Sequence, residues 1–204
     1  MKLYKNLATA LKEASEVEAL KVSLTGDVFP SELFMLPNLR ELYLEGQVKT
    51  LPRLGSPWAK LRILSIRWPT FTGDLAGIFS LPSLSNLKLI DTPLGELRLP
   101  VGQISAPVKS LTIKSCGLQK LPEEFSMLTG LEELNLSGNE LDVLPHSFPL
   151  LVRLKRLNLD GNRFSRFPDL IGSMKELSHL SIDGNLFGEE EKARIQRVYN
   201  LWPG

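Results

Sequence analysis

Few side chains in this chain are equipped for covalent or acid–base chemistry. Cys116 is the one cysteine, and His146 and His179 are the two histidines. A thiol nucleophile needs a base within hydrogen-bond reach, and the spacing developed below sets neither histidine beside Cys116. The sequence has no Gly-x-Ser-x-Gly, no His-Glu-x-x-His and no glycine-rich loop closed by lysine. Asp160 and Asp183 stand at matched positions, so their carboxylates are expected about one strand spacing apart. Such a pair suits a cation or a partner arginine, or simply forms the solvated ends of two Asp-Gly-Asn turns. One cysteine supplies neither an intramolecular disulfide nor a zinc cluster. No catalytic residue, metal or cofactor is assigned, and binding is the chemistry left to consider.

The elements that would position a binding surface come from a repeat. Leu131, Leu134 and Leu136 lie at spacings of three and two, followed by Asn139, Leu141, Leu144 and Pro145. The same spacing returns in Val17/Leu20/Val22, Leu39/Leu42/Leu44, Leu61/Leu64/Ile66, Leu84/Leu87/Leu89, Val108/Leu111/Ile113, Leu154/Leu157/Leu159 and Leu177/Leu180/Ile182. Eight copies recur at steps of 22 to 24 residues, and a period of this length outranks any local reading of secondary structure. The pattern resembles the leucine-rich repeat family: Leu131 to Leu141 and Leu154 to Phe164 match L-x-x-L-x-L-x-x-N/C-x-L in full, the upstream copies more loosely. The family's Asn, whose side chain bonds backbone after the strand, falls here on Thr25, Gln47, Pro69, Thr92, Cys116, Asn139, Asn162 and Asn185. The resemblance makes Cys116 a structural substitute for Asn.

Physical reasoning leads to the same fold. In Leu134-Asn135-Leu136 the leucines point one way and Asn135 the other. One such strand cannot bury its apolar face, but strands stacked ~4.8 Å apart bury a continuous core. The return segments, such as Pro122 to Gly130, are bulkier than strands and should bend the stack. The expected fold is α/β: a curved, right-handed leucine-rich repeat solenoid with its parallel sheet on the concave face. One domain is expected over 1–204, with eight repeats over 17–187. Residues 1–16 place Leu3, Leu7, Leu11 and Ala14 on one helical face and read as an N-terminal cap. Residues 188–204 read as a C-terminal helical cap. Three acids open it and arginines follow, and Ile195, Val198, Leu201 and Trp202 are expected to cover the core. This ending resembles the caps of stand-alone bacterial leucine-rich repeat proteins.

Composition narrows the partners. The 24 basic and 23 acidic residues leave a net charge of +1, which favours neither nucleic acid nor an anionic membrane. Residues 1–16 break their apolar positions with charge and lack the core of a secretory signal, so a cytoplasmic location is expected.

Outward positions are the third, fifth, seventh and eighth of each copy. In the regular copies they are polar or glycine, as with Glu133, Asn135, Ser137 and Gly138, and Glu133, Arg156 and His179 share the third column. In the early copies they include Tyr43, Ile63, Arg67, Trp68, Lys88 and Ile90. Large apolar groups beside arginine are what interface anchors look like, so these six are the candidate partner-binding residues. Trp68 and Ile90 have a second reading, in which they turn inward at a distortion caused by Pro69. That proline should loosen the ladder after the third strand. Thr70 to Asp74, and the fourth copy with Pro93, Gly95, Pro100 and Gly102, read as irregular loops. The expected function is a non-catalytic protein–protein recognition module or scaffold using repeats two to four, with self-association possible. Alternatives are the substrate-recognition arm of a larger enzyme, such as a ubiquitin-ligase-type effector, and a small-ligand or glycan binder at Tyr43, Arg67 and Trp68.

Overall fold

The computed structural model describes residues 1–52, 58–100, 104 and 106–204; Gly102 lies outside them. Among the described residues nine strands run in chain order through one open parallel sheet: β1 (Leu3–Tyr4), β2 (Ala19–Leu24), β3 (Glu41–Gly46), β4 (Ile63–Arg67), β5 (Asn86–Ile90), β6 (Ser110–Lys114), β7 (Glu133–Asn135), β8 (Arg156–Asn158) and β9 (His179–Ser181). Strands β2 to β9 fall on the eight apolar triplets, because only pairing in register keeps each leucine beside its equivalent. Leu42 pairs with Leu64, Leu64 with Leu87, and Leu134 with Leu157. A slip of one residue would turn every leucine to solvent. Behind the strands, short 3-10 turns at Ser31–Met35, Ala76–Ser80, Glu123–Met127, Phe148–Leu150 and Asp169–Ser173 return the chain. They drop apolar side chains inward: Leu33, Ile78 with Phe79, Phe125, Phe148 and Ile171. Full burial of such a group stabilises by roughly 1.5–3 kcal/mol. Phe125 and Phe148 stack with centroids 6.5 Å apart and planes 3° from parallel.

A second, polar ladder runs where the strands end. The Asn139 amide donates to Ile113 O at 2.6 Å and Leu136 O at 2.8 Å, and its oxygen accepts from Cys116 N and Leu118 N. Asn162 bonds Leu136 O, and Asn185 bonds Leu159 O, in the same way. The Cys116 thiol donates to Leu89 O at 3.5 Å, and the Thr92 hydroxyl to Ile66 O at 3.5 Å. Side chains from five successive copies therefore satisfy backbone groups of the copy before, groups whose burial without partners would be costly. The structural role implied for Cys116 is seen directly. Thr25 and Gln47 are exposed, so the ladder begins at Thr92.

Both ends differ from expectation. Residues 1–16 form no single helix. Leu3 and Tyr4 pair with Ala19 and Leu20 as an added strand, and helix α1 spans only Leu7–Lys12. Tyr4 is buried with its hydroxyl donating to Glu13, while Leu3 is exposed. Pairing gives the otherwise open edge of β2 its hydrogen bonds, which a helix cannot do. Asn6 starts α1 by accepting from Thr9 N at 3.0 Å, as N-cap residues do. At the other end, helix α2 spans Glu189–Tyr199 and buries Ile195, with Leu201 half-buried. Val198 and Trp202 are exposed and do not cover the core. Tyr199 packs on Phe167 instead, ring centroids 4.3 Å apart, and its hydroxyl donates to Asp169.

Candidate partner-binding surface

The open face of the sheet is built from three columns of side chains. The first runs Glu41, Ile63, Asn86, Ser110, Glu133, Arg156, His179; the second Lys21, Tyr43, Ser65, Lys88, Thr112, Asn135, Asn158, Ser181. The third carries Glu45, Arg67, Ile90 and Lys114, then Ser137, Asp160 and Asp183 beyond the shorter strands. Over β6–β9 this face is hollow: Thr112, Asn135, Asn158 and Ser181 floor a recess of about 660 Å³ that Leu201 helps to line.

Five of the six expected residues are brought together on β3–β5. Tyr43, Ile63 and Ile90 are half-buried, and Arg67 and Lys88 are exposed. The Tyr43 hydroxyl donates to Glu41 at 3.0 Å, and burial, helped by that carboxylate, raises its pKa above the ordinary value. Arg67 is not free. Its Nε and Nη2 reach Asp91 Oδ2 at 2.9 and 2.7 Å, holding the guanidinium upright on the rim. Among the described residues Lys88 and Lys114 make no ion pair or hydrogen bond through their ammonium groups. Lys114 was not among the six, although it is the seventh residue of its copy and the register alone reaches it. Asp91, in the eighth position, was missed for the same reason.

Trp68 is the correction. It is fully buried and is no surface anchor. In six copies the eighth residue takes a positive φ: Gly46, Asp91, Ser115, Gly138, Gly161 and Gly184. That turn brings the ninth residue inward. A bulky aromatic does not take this conformation without strain, and Pro69 follows with φ fixed near −65°. The chain of copy three therefore stays extended past Arg67, and strand alternation carries Trp68, two residues beyond Ile66, into the core. There it stands in the ninth position. Its backbone N–H donates to Thr92 Oγ1 at 3.0 Å, as Cys116 N does to Asn139. The ring packs against Phe71 and meets Phe29 edge-on, at 5.8 and 6.3 Å between centroids. The β4–β5 pairing stops at Ile66 and Leu89, while the neighbouring ladders reach Arg67 and Ile90, so the ladder shortens where Pro69 was expected to loosen it.

The remaining chemistry-bearing groups are occupied structurally. Asp160 accepts from the Ser181 hydroxyl at 2.6 Å, Asp183 N at 2.8 Å and the Asn158 amide at 3.0 Å. Asp183 accepts from Gly204 N. Burial pushes the Cys116 thiol up to about 11, leaving it protonated and unreactive at neutral pH. His179 rests on the hydroxyl of Ser178, and Arg156 approaches Glu133 at 3.9 Å. Among the described residues no group of three or more His, Cys, Asp or Glu is gathered to hold a metal ion, and no helix is long and apolar enough to cross a membrane.

An open parallel sheet with a polar ladder at its strand ends defines a repeat protein with one face of the sheet exposed. The family model described as "Leucine rich repeat" matches residues 106–164, where the ladder is most regular. With the open parallel sheet, this match shows the leucine-rich repeat fold over that stretch. Over 142 residues it is 33% identical to the volume-regulated anion channel subunit LRRC8B of Homo sapiens, and equally to that of Mus musculus. The match covers 64% of this chain, which spans only 17% of the length of those relatives. Among solved structures it resembles TLR13 in a complex with ssRNA13 (TM-score 0.73, 21% identity, 98% of this chain and 30% of that one). It also resembles Listeria monocytogenes InlP (0.68, 20%, 83% and 49%) and an LRR protein of Leptospira interrogans (0.54, 23%, 92% and 60%). These likenesses establish the fold.

Proposed function

We propose that this chain is a non-catalytic protein-recognition module that grips its partner through the open face of β3–β6. The observation that carries this reading is the gathering of Tyr43, Ile63, Arg67, Lys88 and Ile90 on neighbouring strands. The exposed parts of the isoleucines, beside lysines with no ion pair among the described residues, add little to folding, whereas an interface uses both: apolar contact for affinity and charge for orientation. The rest of the face carries hydroxyls, amides and charged groups, among them the pairs Lys21–Glu45 and Arg156–Glu133. A single buried thiol suits work in the reducing cytoplasm. The test places a benzophenone photocrosslinker at Ser65 or Thr112 on the open face, or at Ser173 on the opposite side, and irradiates each protein in extract of its native cells. A partner captured from Ser65 and Thr112 but not from Ser173 is the expected result. Capture from Ser173 alone overturns the assignment of the face.

A further inference from the structure

The charges on the open face are not spread evenly. Over β4–β6 there are three cations, Arg67, Lys88 and Lys114, and one carboxylate, Asp91, which pairs with Arg67. The excess of two positive charges resides on Lys88 and Lys114, whose ammonium groups have no partner among the described residues. Both flanks are negative. On the β2–β3 side Glu41 and Glu45 outnumber Lys21, which is tied to Glu45 at 3.0 Å. On the β7–β9 side Glu133, Asp160 and Asp183 outnumber Arg156.

The apolar groups coincide with the basic centre. Lys114 pairs with Ile90 on the neighbouring strand. On the other side Arg67, at the end of β4, is held to Asp91, the residue after Ile90, and Lys88 precedes Ile90 by two residues on the same face. Ile90 is thus ringed by cations at roughly 5–7 Å, and Ile63 extends the apolar contact beside Asn86.

We propose that the partner presents a short acidic segment of polypeptide bearing one aliphatic or aromatic side chain, seated on Ile90 with its carboxylates at Lys88 and Lys114. This rests on the reading of the open face as the recognition surface. The acidic flanks limit the segment, since carboxylates extending past β4 or β6 would meet Glu45 or Glu133. Three strands span about 10 Å, the reach of roughly three extended residues. A nucleic acid fits less well: its charge continues along the strand, whereas this patch is bounded by acids and offers isoleucines rather than stacking rings.

The test selects random phage-displayed peptides on the immobilised full chain. Enriched peptides are then measured by fluorescence polarisation against wild type, Lys88→Glu/Lys114→Glu and Ile90→Ser, after circular dichroism shows that each variant is folded. Acid-rich peptides with a central Leu, Ile or Phe are expected. They should bind the charge-reversed protein at least about tenfold more weakly, and weaken as salt rises from about 50 to 300 mM. Selection on the reversed variant should return basic peptides. Neutral or basic peptides on wild type, acidic peptides that ignore the reversal, no enrichment, or preferential binding of oligouridylate at this face would each overturn the proposal. The two readings separate cleanly. Selected peptides that crosslink from Ser65 yet ignore charge reversal refute the acidic segment and leave recognition by the face standing; peptides that crosslink only from Ser173 refute both.

Discussion

Replacing Asn139 with alanine tests the polar ladder where its geometry is best defined. Asn139 is 5% exposed and makes four bonds of 3.2 Å or less to backbone groups. Of these partners, Leu136 O keeps a second donor, the amide of Asn162. Cys116 N, Leu118 N and Ile113 O lose the amide. An unsatisfied buried backbone group costs about 1–3 kcal/mol, and water entering the space left by the side chain recovers part of that. The expected loss is about 3–5 kcal/mol, a large share of the stability of a domain this size. Asn185→Ala is the internal control. Its side chain is half-buried near the end of the stack, and Leu159 O, one of its acceptors, also receives Asn162. About 1–2 kcal/mol is expected there. Both are read from urea unfolding followed by circular dichroism, comparing midpoint and slope. A cost below about 1 kcal/mol at Asn139, or equal costs at the two sites, would refute the argument that buried backbone satisfaction sets the ladder's value.

At the junction of copies three and four, Trp68→Ala should cost about 3–5 kcal/mol by emptying the core. Trp68→Phe should cost much less, because the indole N–H has no partner among the described residues and its loss removes an unmet donor; equal costs in urea unfolding would refute this. Acid should loosen α2. The Tyr199 hydroxyl, then Arg194, hold Asp169 below its ordinary 3.8, and Arg194 holds Glu191 below 4.5. Carboxylates depressed in the folded state contribute fully above those ordinary values, and the contribution is lost as pH falls through the lower folded ones. The thermal midpoint should therefore drop below about pH 4.5, and by less in Arg194→Gln; an identical drop in that variant would contradict the assignment.

The repeat was legible because burial on one face imposes period two within each strand and the return segment imposes the longer period. Leucine spacing alone places β2–β9. Trp68 shows where that reading stops. Counting positions made it an eighth, outward residue, but the count assumes a positive-φ turn that tryptophan followed by proline does not make. The residue type carried the warning, and only the Thr92 contact shows which way the chain resolves it. The N-terminus failed for a related reason. Leu3, Leu7 and Leu11 have helical spacing, yet the unmet hydrogen bonds of β2 recruit Leu3 and Tyr4 into the sheet, a demand set by tertiary position. Val198 and Trp202 were assigned to the core by hydrophobicity, while Tyr199, with a hydroxyl to place on Asp169, took the contact. In the candidate surface, residue types marked the patch, but pairing decides which charges are available. Arg67 is neutralised by Asp91, and Lys114, unremarked beside the aromatics, makes no ion pair among the described residues.

The polar ladder also decides which copies of this solenoid are interchangeable. From Thr92 onward each copy offers the same connector to the one before it: a small hydroxyl, thiol or amide reaching back to a strand-end carbonyl. The segment 131–153 has matching surfaces on both sides, so duplicating it in tandem joins like to like and lengthens the open face by one strand. The segment 61–83 has no such symmetry. Its far side presents Trp68 to Thr92, and its near side meets a copy in which Gln47 is exposed. Growth or loss of whole copies is therefore permitted in the second half of the chain and resisted in the first, so length can vary while the patch on β3–β6 keeps its composition.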